Sequence, residues 1–309
     1  MRYRRLGKTG WDVSAVSMGC WGIGGQWGPV AEEEAIRTMH AALDLGVNLF
    51  DTADAYGQGV SEELVGKALK GRHDGIYVAT KVGNFARRAG HPLTYASPEH
   101  IYLCRDASLG RMKRDTIDLY QCHIGDLKDP TIFLEALDRL VEQGKVRHYG
   151  ISTNSLPVLE SFNRNGRTAL CQINYSVLNQ SAAADILPYC QANDIGTLIR
   201  GPIAQGLLAG KFTPDTHFDD MVRAGWNEGA GRERFLKQVA QVEQLRFLVK
   251  PGRTMAQAAL QWLLANPAVT CPIPGAKNVA QITSNSEAAD GELSADELAR
   301  LREITATWA

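Results

Sequence analysis

Residues 47–57, VNLFDTADAYG, form an apolar run that ends in an acid, with a tyrosine five residues further on. Asp is disfavoured inside strands and common in turns, so the pattern predicts a strand that ends at Asp51. Two interpretations are open for the polar residues here. Asp51 and Tyr56 belong either to a capped turn or to half of an active site, and the rest of the chain has to decide.

Apolar runs of the same kind recur along the chain, and amphipathic segments with apolar residues at i, i+3, i+4 and i+7 separate them. Eight strands, each followed by a helix, is the count of a closed (β/α)8 barrel. Strands that are apolar on both faces are typical of parallel strands between a barrel core and its helices. The predicted strands cover residues 15–19, 47–51, 76–81, 117–123, 146–152, 170–174, 195–200 and 269–274, and the clearest helices cover 31–46, 98–112, 130–144 and 254–266.

The chain begins with a predicted β-hairpin, residues 2–16, and ends with an extra helix after the eighth βα unit. Nothing marks a domain boundary, so the predicted fold class is α/β, a single (β/α)8 TIM barrel over residues 1–309. Residues 201–231 are irregular and exceed the usual α/β loop of about 2–6 residues, which predicts either a disordered segment or a functional lid. The glycines expected to end helices are Gly46, Gly71, Gly110, Gly144 and Gly166.

The charge balance favours a small or neutral ligand. The chain has 33 Lys plus Arg and 34 Asp plus Glu, a formal net charge of -1, which gives no electrostatic reason to expect nucleic acid or an anionic membrane as partner. No run reaches the ~18 uncharged apolar residues of a transmembrane helix, so we expect a cytoplasmic protein. The six cysteines lack metal-ligand or disulfide spacing and are expected to be reduced thiols, with no metal site.

Polar residues follow three consecutive predicted strands, where a (β/α) barrel carries its chemistry. Asp51 ends the second strand with Tyr56 just beyond it, Lys81 ends the third and His123 ends the fourth. Each residue also has a separate structural explanation. They are Asp51 as a turn cap, Tyr56 as an aromatic wedge, Lys81 as a solvated strand end and His123 as a hydrogen-bonded core histidine. Together they form the convergent set expected of an active site.

The chemistry available to this set is specific. A tyrosine hydroxyl has an ordinary pKa near ~10, and a neighbouring ammonium such as Lys81 is expected to lower that pKa. Asp51 can hold Lys81 in place, and His123 can orient a substrate oxygen. The set fits carbonyl reduction, or its reverse, with hydride from a bound cofactor. Asp54 is expected only to cap the turn or to be solvated.

Motifs spread over nearly the whole chain carry a family resemblance. They are DTADAYG (51–57), ATKVG (79–83), LYQCH (119–123), GIS (150–152), QINYS (172–176), PIAQGLLAGK (202–211) and PIPGAK (272–277). The sequence resembles the aldo-keto reductase superfamily. The resemblance implies a (β/α)8 barrel that binds extended NADP(H) and reduces aldehydes and ketones, with Asp51, Tyr56, Lys81 and His123 as its catalytic tetrad.

The resemblance also implies a cofactor site for NADPH or NADP+, with NADH as the alternative. Lys277 at the start of a helix suits the 2'-phosphate, which favours NADP(H). The implied cofactor-binding residues are Cys20, Trp21, Ser152, Thr153, Asn154, Gln172, Arg200, Gly201, Pro202, Gln205, Gly206, Leu207, Lys211, Gly275, Lys277, Gln281 and Asn285.

Three positions depart from the pattern common in the family. Thr153 and Asn154 stand where Asn and Phe are common. Arg200 stands where an aromatic residue commonly stacks on the nicotinamide, and its charge is expected to alter that end of the site. Ser284 replaces a common acid, so one acceptor for the adenine amino group is lost.

The predicted substrate is a small carbonyl or sugar-like molecule, received by the aromatic residues Trp21, Trp27 and Phe85. The basic pair Arg87 and Arg88 is interpreted as a solvated turn. Two alternatives to a reductase stay open. One is a sugar or alcohol dehydrogenase working in the oxidative direction, and the other is a cofactor-binding regulatory protein such as the potassium-channel beta subunits of the same superfamily.

Overall fold

The computed structural model describes residues 1–87 and 90–308, so the predicted basic turn at Arg88 lies outside the described residues. One antiparallel strand pair precedes eight parallel strands. The strands are β1 (Tyr3–Arg5), β2 (Asp12–Ser14), β3 (Met18–Gly19), β4 (Leu49–Asp51), β5 (Tyr77–Val82), β6 (Ile117–Cys122), β7 (Val146–Ser152), β8 (Leu170–Asn174), β9 (Gly196–Arg200) and β10 (Cys271–Pro272).

The eight parallel strands lie side by side in chain order, from β3 to β10. Ser17 N donates to Pro272 O at 3.1 Å, and Gly19 N donates to Pro274 O at 3.0 Å, so the first and last strands are joined. The predicted (β/α)8 barrel is confirmed. Its first and last strands are shorter than the predicted runs 15–19 and 269–274, because only a few residues there pair with a neighbour.

Helices surround the sheet and connect its strands. They are α1 (Glu32–Asp44), α2 (Val60–Ala68), α3 (Pro98–Met112), α4 (Thr131–Glu142), α5 (Leu156–Phe162), α6 (Ile186–Ala192), α7 (Gly229–Glu243), α8 (Met255–Leu264), α9 (Val279–Glu287) and α10 (Ala295–Ala306). The last, α10, is the predicted extra C-terminal helix. Within the described residues, no helix combines the length and apolar character needed to cross a membrane.

Four of the five glycines expected at helix C-termini adopt a left-handed φ after a helix: Gly46, Gly71, Gly144 and Gly166. The prediction for Gly110 is wrong. Gly110 lies inside α3, and Lys113 takes the left-handed conformation (φ 55) that ends the helix, with its N–H bonded to Leu109 O.

The N-terminal hairpin covers the bottom of the barrel. Leu6 and Val13 are fully buried in one cluster with the inward leucines Leu49, Leu119 and Leu198 of the barrel strands. The apolar end of the barrel is therefore filled, which leaves the opposite, C-terminal end of the strands as the open one.

Residues 201–231 are folded. Helical turns occupy residues 204–209 and 224–226, and Phe218 and Trp226 pack against Phe235 of α7, with ring centroids 5.3 and 5.8 Å from it. The interpretation as a disordered segment is therefore wrong, and a function of residues 201–231 as a lid stays a prediction.

Candidate active site

Lys81 is the centre of a hydrogen-bonded chain at the open end of the barrel. Its ammonium Nζ donates to Asp51 Oδ1 at 2.7 Å, to the carbonyl oxygen of Thr52 at 2.7 Å and to the Tyr56 hydroxyl at 3.1 Å. Asp51 is 2% exposed and Lys81 is 0% exposed. A buried ion pair persists only where its remaining polar atoms are hydrogen-bonded, as they are here. The ends of β4 and β5 thus bring these side chains together as the strand positions predict.

A tight turn after β4 carries Tyr56 over Lys81. Tyr56 N donates to Ala53 O at 3.1 Å, and Gly57 follows with a left-handed φ of 60. A Cβ on Gly57 would lie 2.3 Å from the carbonyl oxygen of Gly24. The turn therefore passes the loop after β3 at a distance that only glycine permits.

Burial raises the pKa of Tyr56 above its ordinary value, while the charge of Lys81 lowers it and that of Asp51 raises it. The expectation of a depressed pKa is therefore wrong in its net direction, because removal of the phenol from water outweighs the ammonium. Burial also opposes the charge on Lys81, but Asp51 and Tyr56 together raise the pKa of Lys81. At neutral pH, Tyr56 is consequently a neutral phenol and Lys81 an ammonium.

The second carboxylate oxygen of Asp51 is held by two glutamines. Gln172 Nε2 donates to Asp51 Oδ2 at 2.8 Å, and Gln121 Nε2 donates to the same oxygen at 3.3 Å. Gln172 is one of the residues expected to bind the cofactor, whereas Gln121 is not among the expected site residues. A signal for Gln121 exists, because in β6 it lies two residues before His123 and so shares its face of the strand.

A cavity of about 1100 Å³ opens above this chain, and both Tyr56 and His123 line it. Their ring centroids lie 6.1 Å apart with the planes at 85°. His123 directly follows β6, and its backbone N–H donates to Val82 O at 2.8 Å, which fixes it beside the end of β5. The four residues predicted to be catalytic thus share one site, with Asp51 and Lys81 beneath the cavity.

Of the three aromatic residues expected at the substrate, the described cavity wall includes Trp21 but not Trp27 or Phe85. Trp27 packs edge-on against Trp21, with centroids 4.9 Å apart, and so supports the wall from behind. Trp226 from the segment 201–231 is on the wall. The roles of Trp27 and Phe85 at the substrate stay predictions.

The family model of the aldo/keto reductase family matches residues 15–306. The chain belongs to the aldo/keto reductase family. Aldo-keto reductase YhdN of Bacillus subtilis is 33% identical over 296 residues, which cover 93% of this chain and 88% of that protein. Among solved structures, aldo-keto reductase AKR11C1 from Bacillus halodurans is 31% identical with a TM-score of 0.82, over 98% of this chain and 96% of that chain. Glycerol dehydrogenase AKR11B4 from Gluconobacter oxydans is 31% identical with a TM-score of 0.84, over 99% and 95%.

The residues at the end of β7 and directly after it divide into two groups in this aldo/keto reductase. Ser152 is on the cavity wall, and its hydroxyl lies 3.5 Å from Gln172 Oε1. Thr153 is buried instead, and its hydroxyl donates to Gly125 O at 2.6 Å. Asn154 links two loops, because its amide exchanges hydrogen bonds with the backbone of Asn174 at 3.0 Å each. Thr153 and Asn154 thus shape the wall from outside the lining.

The end of β9 and the loop after it contribute to the cavity wall. Arg200, Gly201, Gln205 and Leu207 line the cavity. Pro202 and Gly206 are outside the described lining, and Lys211 lies further along with its ammonium 6.0 Å from the Phe212 ring centroid. Three successive residues adopt a left-handed φ: Ala204 (47), Gln205 (56) and Gly206 (96).

A third group predicted to bind cofactor lies in the loop between β10 and α9 and in α9 itself. Asn278 caps α9 by accepting from Gln281 N at 2.9 Å, and Gln281 Oε1 accepts from Lys277 N at 2.8 Å. Lys277 Nζ donates to the carbonyl oxygen of Trp27 at 2.9 Å. Asn285 Nδ2 donates to Gly275 O at 3.3 Å.

Cys20, also assigned to the cofactor, is fully buried and lies outside the described cavity lining. Burial raises the pKa of its thiol far above the ordinary range. The resemblance suggested Cys20 because residues 19–21, GCW, match the family segment that borders the nicotinamide, but in the helical turn at residues 20–23 Cys20 is buried and Trp21 is not. Cys20 is therefore a small apolar residue of the core.

Proposed function

We propose that this aldo/keto reductase is an NADP(H)-dependent enzyme that reduces an aldehyde, ketone or sugar-like carbonyl, with Tyr56 as the general acid. The observation that carries the proposal is the chain Asp51, Lys81, Tyr56 at the floor of an open cavity beside His123. No nucleic acid or membrane partner is proposed, and the ligand is a small molecule.

The hydrogen-bond directions define the proton that Tyr56 has to give. Lys81 donates to the phenolic oxygen, so the phenolic proton is not used in that bond and is available toward the cavity. As a substrate oxygen gains negative charge, Tyr56 supplies its proton, and the Lys81 ammonium stabilises the phenolate that remains. Asp51, held by Gln121 and Gln172, keeps Lys81 in place. His123 orients the substrate oxygen from the cavity wall.

The residues present fit a nicotinamide dinucleotide. Its diphosphate needs hydrogen-bond donors and positive charge, which the Gln205 amide on the cavity wall and the Lys211 ammonium can supply. The N–H groups of Ala204 and Gly206 already donate to Gly201 O and Ile203 O. The capped start of α9 with Lys277 suits a further phosphate. When bound, this cofactor supplies the hydride for which Tyr56 provides the matching proton.

The catalytic assignment predicts the effect of Tyr56→Phe. The variant keeps the ring and loses the proton, so kcat should fall by at least about 100-fold while the dissociation constant of NADPH changes little. The measurement is NADPH oxidation with a panel of aldehydes, ketones and sugars, together with a binding titration. The assignment is refuted if the wild type turns over none of the carbonyls, or if the Tyr56→Phe variant keeps full activity.

The cofactor assignment predicts a selective effect of Lys277→Ala. Removal of the ammonium should weaken NADPH binding by about 10-fold or more relative to NADH, because only NADPH carries the 2'-phosphate. The variant also loses the hydrogen bond to Trp27 O, which affects the binding of both cofactors equally. The ratio of the two dissociation constants therefore reports only the contribution of the 2'-phosphate. Equal losses for NADPH and NADH would remove the reason for preferring NADP(H).

A dehydrogenase working in the oxidative direction is the second candidate. The structural relative from Gluconobacter oxydans is named a glycerol dehydrogenase. The same tetrad serves both directions, with Tyr56 as acid in one and its phenolate as base in the other. Assays with polyols and NADP+ beside the carbonyl panel distinguish them. If the cofactor binds but neither panel of substrates reacts, the protein has a regulatory role without turnover.

A further inference from the structure

The indole of Trp21 holds the side chain of Gln26 at the cavity wall. Trp21 Nε1 donates to Gln26 Oε1 at 2.5 Å, and both residues line the cavity that Tyr56 also lines. An indole nitrogen is only a donor, so the atom that faces it has to be the amide oxygen of Gln26 and not the amide nitrogen. The orientation of this amide is therefore defined: its oxygen is bonded to the indole, and its nitrogen Nε2 is the group that remains.

The amide nitrogen of Gln26 is open to a ligand. Across residues 1–87 and 90–308, no oxygen accepts a hydrogen bond from Gln26 Nε2. This nitrogen is also not one of the buried polar atoms that lack a partner, so it faces open space and not the packed interior. Because an amide nitrogen carries N–H donors and no acceptor, Gln26 offers the cavity a hydrogen-bond donor.

The loop that carries Gln26 is held in place. Gly28 N donates to Gly25 O at 3.2 Å, which closes a turn around Gln26. Trp27, the next residue, packs edge-on against Trp21 with ring centroids 4.9 Å apart. A donor held by a closed turn and by a packed indole recognises a ligand atom at a defined place.

Gln26 lies near the reacting end of the cavity. The rings of Trp21 and Tyr56 have centroids 5.8 Å apart and planes at 23°, and Gln26 is bonded to the edge of the indole. The carbonyl oxygen of a substrate has to meet the Tyr56 hydroxyl to receive its proton. The carbon atoms next to that carbonyl then come within reach of the Gln26 amide.

This side of the cavity is polar but uncharged. In the part of the chain that the structure describes, the loops after β3, β4 and β5 supply no charged side chain to the cavity lining, and they supply three amides, those of Gln26, Gln58 and Asn84. A held amide donor loses its hydrogen bonds to water when an apolar substituent covers it, and nothing replaces them. A substituent with a hydroxyl group replaces them, so the wall favours a neutral, hydroxylated substrate.

We propose that Gln26 determines substrate specificity by donating a hydrogen bond to a hydroxyl group on a carbon next to the reacting carbonyl. The enzyme then prefers hydroxylated aldehydes to unsubstituted ones of the same length. The inference rests on the proposed function and narrows its substrate class from carbonyl compounds in general to neutral hydroxy-carbonyl compounds. Gln26 selects the substrate and takes no part in the proton or hydride transfer.

The test compares kcat/KM for glyceraldehyde and propanal, which share one carbon skeleton and differ in their hydroxyl groups. The wild type should prefer glyceraldehyde. Gln26→Met keeps the length of the side chain and removes the amide, so this preference should fall by about 10-fold, the worth of one hydrogen bond of this kind. The loss should arise mainly from glyceraldehyde, and the dissociation constant of NADPH should stay the same.

Gln58→Met is the matched control. Gln58 also lines the cavity, but it is exposed and its side chain has no hydrogen bond to any described residue, so the variant should keep the preference. Trp21→Phe keeps an aromatic ring and loses the N–H that orients Gln26, so it should lower the preference as well. Trp21→Phe combined with Gln26→Met should lower it no further than Gln26→Met alone, because both changes remove the same contact. Additive losses would contradict the role of the indole.

The remaining outcomes separate this inference from the proposed function. If Gln26→Met lowers kcat/KM for both aldehydes by the same factor, Gln26 has only a structural role and the inference is wrong. A wild type without preference for glyceraldehyde, an unchanged preference in Gln26→Met, or an equal fall in Gln58→Met also overturns the inference, while the proposed function stands. A wild type that reduces neither aldehyde nor any other carbonyl of the panel refutes both.

Discussion

Asp54 lies two residues before Tyr56 and has an environment that opposes its charge. It is 1% exposed, and in the part of the chain that the structure describes neither of its carboxylate oxygens accepts a hydrogen bond. Burial, and then the charge of Glu62, raise the pKa of Asp54 to about 8, against smaller opposing effects that include the charges of Arg111 and Lys81. The expected capping or solvated role is therefore wrong, and Asp54 is a protonated acid at neutral pH.

Asp54→Asn should stabilise the protein increasingly as pH rises. The folded-state pKa lies above the ordinary value of 3.8, so the folded protein takes up a proton. The resulting stability is complete below about pH 4 and is lost as pH rises toward 8. The asparagine variant lacks this loss, so its free energy of unfolding relative to wild type should increase by up to about 1.4 kcal/mol per pH unit across that window.

Urea unfolding at pH 5, 6, 7 and 8 measures this difference. Asp74→Asn is the control, because Asp74 is an exposed carboxylate in a loop far from the cavity. Parallel stability curves for wild type and Asp54→Asn would contradict the raised pKa. A slope in the Asp74 variant as steep as that in the Asp54 variant would point to a general charge effect instead.

At the level of the element, the turn over residues 52–59 depends on Gly57. Gly57→Ala should destabilise the protein by more than the ~1–2 kcal/mol of a left-handed alanine, because its Cβ also meets the backbone oxygen of Gly24. The turn should shift, and kcat should fall because Tyr56 moves with it. Denaturant unfolding and steady-state kinetics measure the two effects.

Gly71→Ala is the control that separates the cost of the left-handed backbone conformation from the cost of the close contact made at Gly57. Gly71 has a left-handed φ of 73 but nothing within 4 Å of the added Cβ, so it should show only the conformational cost and full activity. Equal stability and equal kcat in the two variants would mean that the close approach of Gly57 to Gly24 has no consequence.

The elements show how far the sequence alone leads. Lys81 and His123 were placed correctly because polar residues at the ends of apolar parallel strands have to meet at one end of a barrel. Gln121 is absent from the predicted site because the prediction for this strand used only its last residue, His123, and not the residue two positions before it. The bounds of β3 and β10 could not be predicted, since they depend on which few residues form hydrogen bonds across the closure. The net pKa of Tyr56 depends on burial, which sequence position does not reveal.

For the whole molecule, the hairpin at the bottom of the barrel is a stability element separate from the site. Leu6→Ala should lower the free energy of unfolding by about 2–5 kcal/mol, because Leu6 is fully buried against the first residue of β9, Gly196. Cofactor affinity should not change, since the cavity is at the opposite end. Leu103→Ala, at a 67% exposed position of α3, is the control and should cost little. Equal losses of unfolding free energy in the two variants, measured with urea, would contradict the stabilising role of the hairpin at the bottom of the barrel.

The joining of β3 to β10 also bears on how the chain is made. A growing polypeptide that has been synthesised only as far as β9 has seven strands in order but lacks the neighbour that pairs with β3. Two open sheet edges then face the cellular environment, and such edges are sites of unwanted pairing with other chains. Closure of the barrel therefore requires residues 271–275, so a truncation before them removes the closed barrel instead of shortening it.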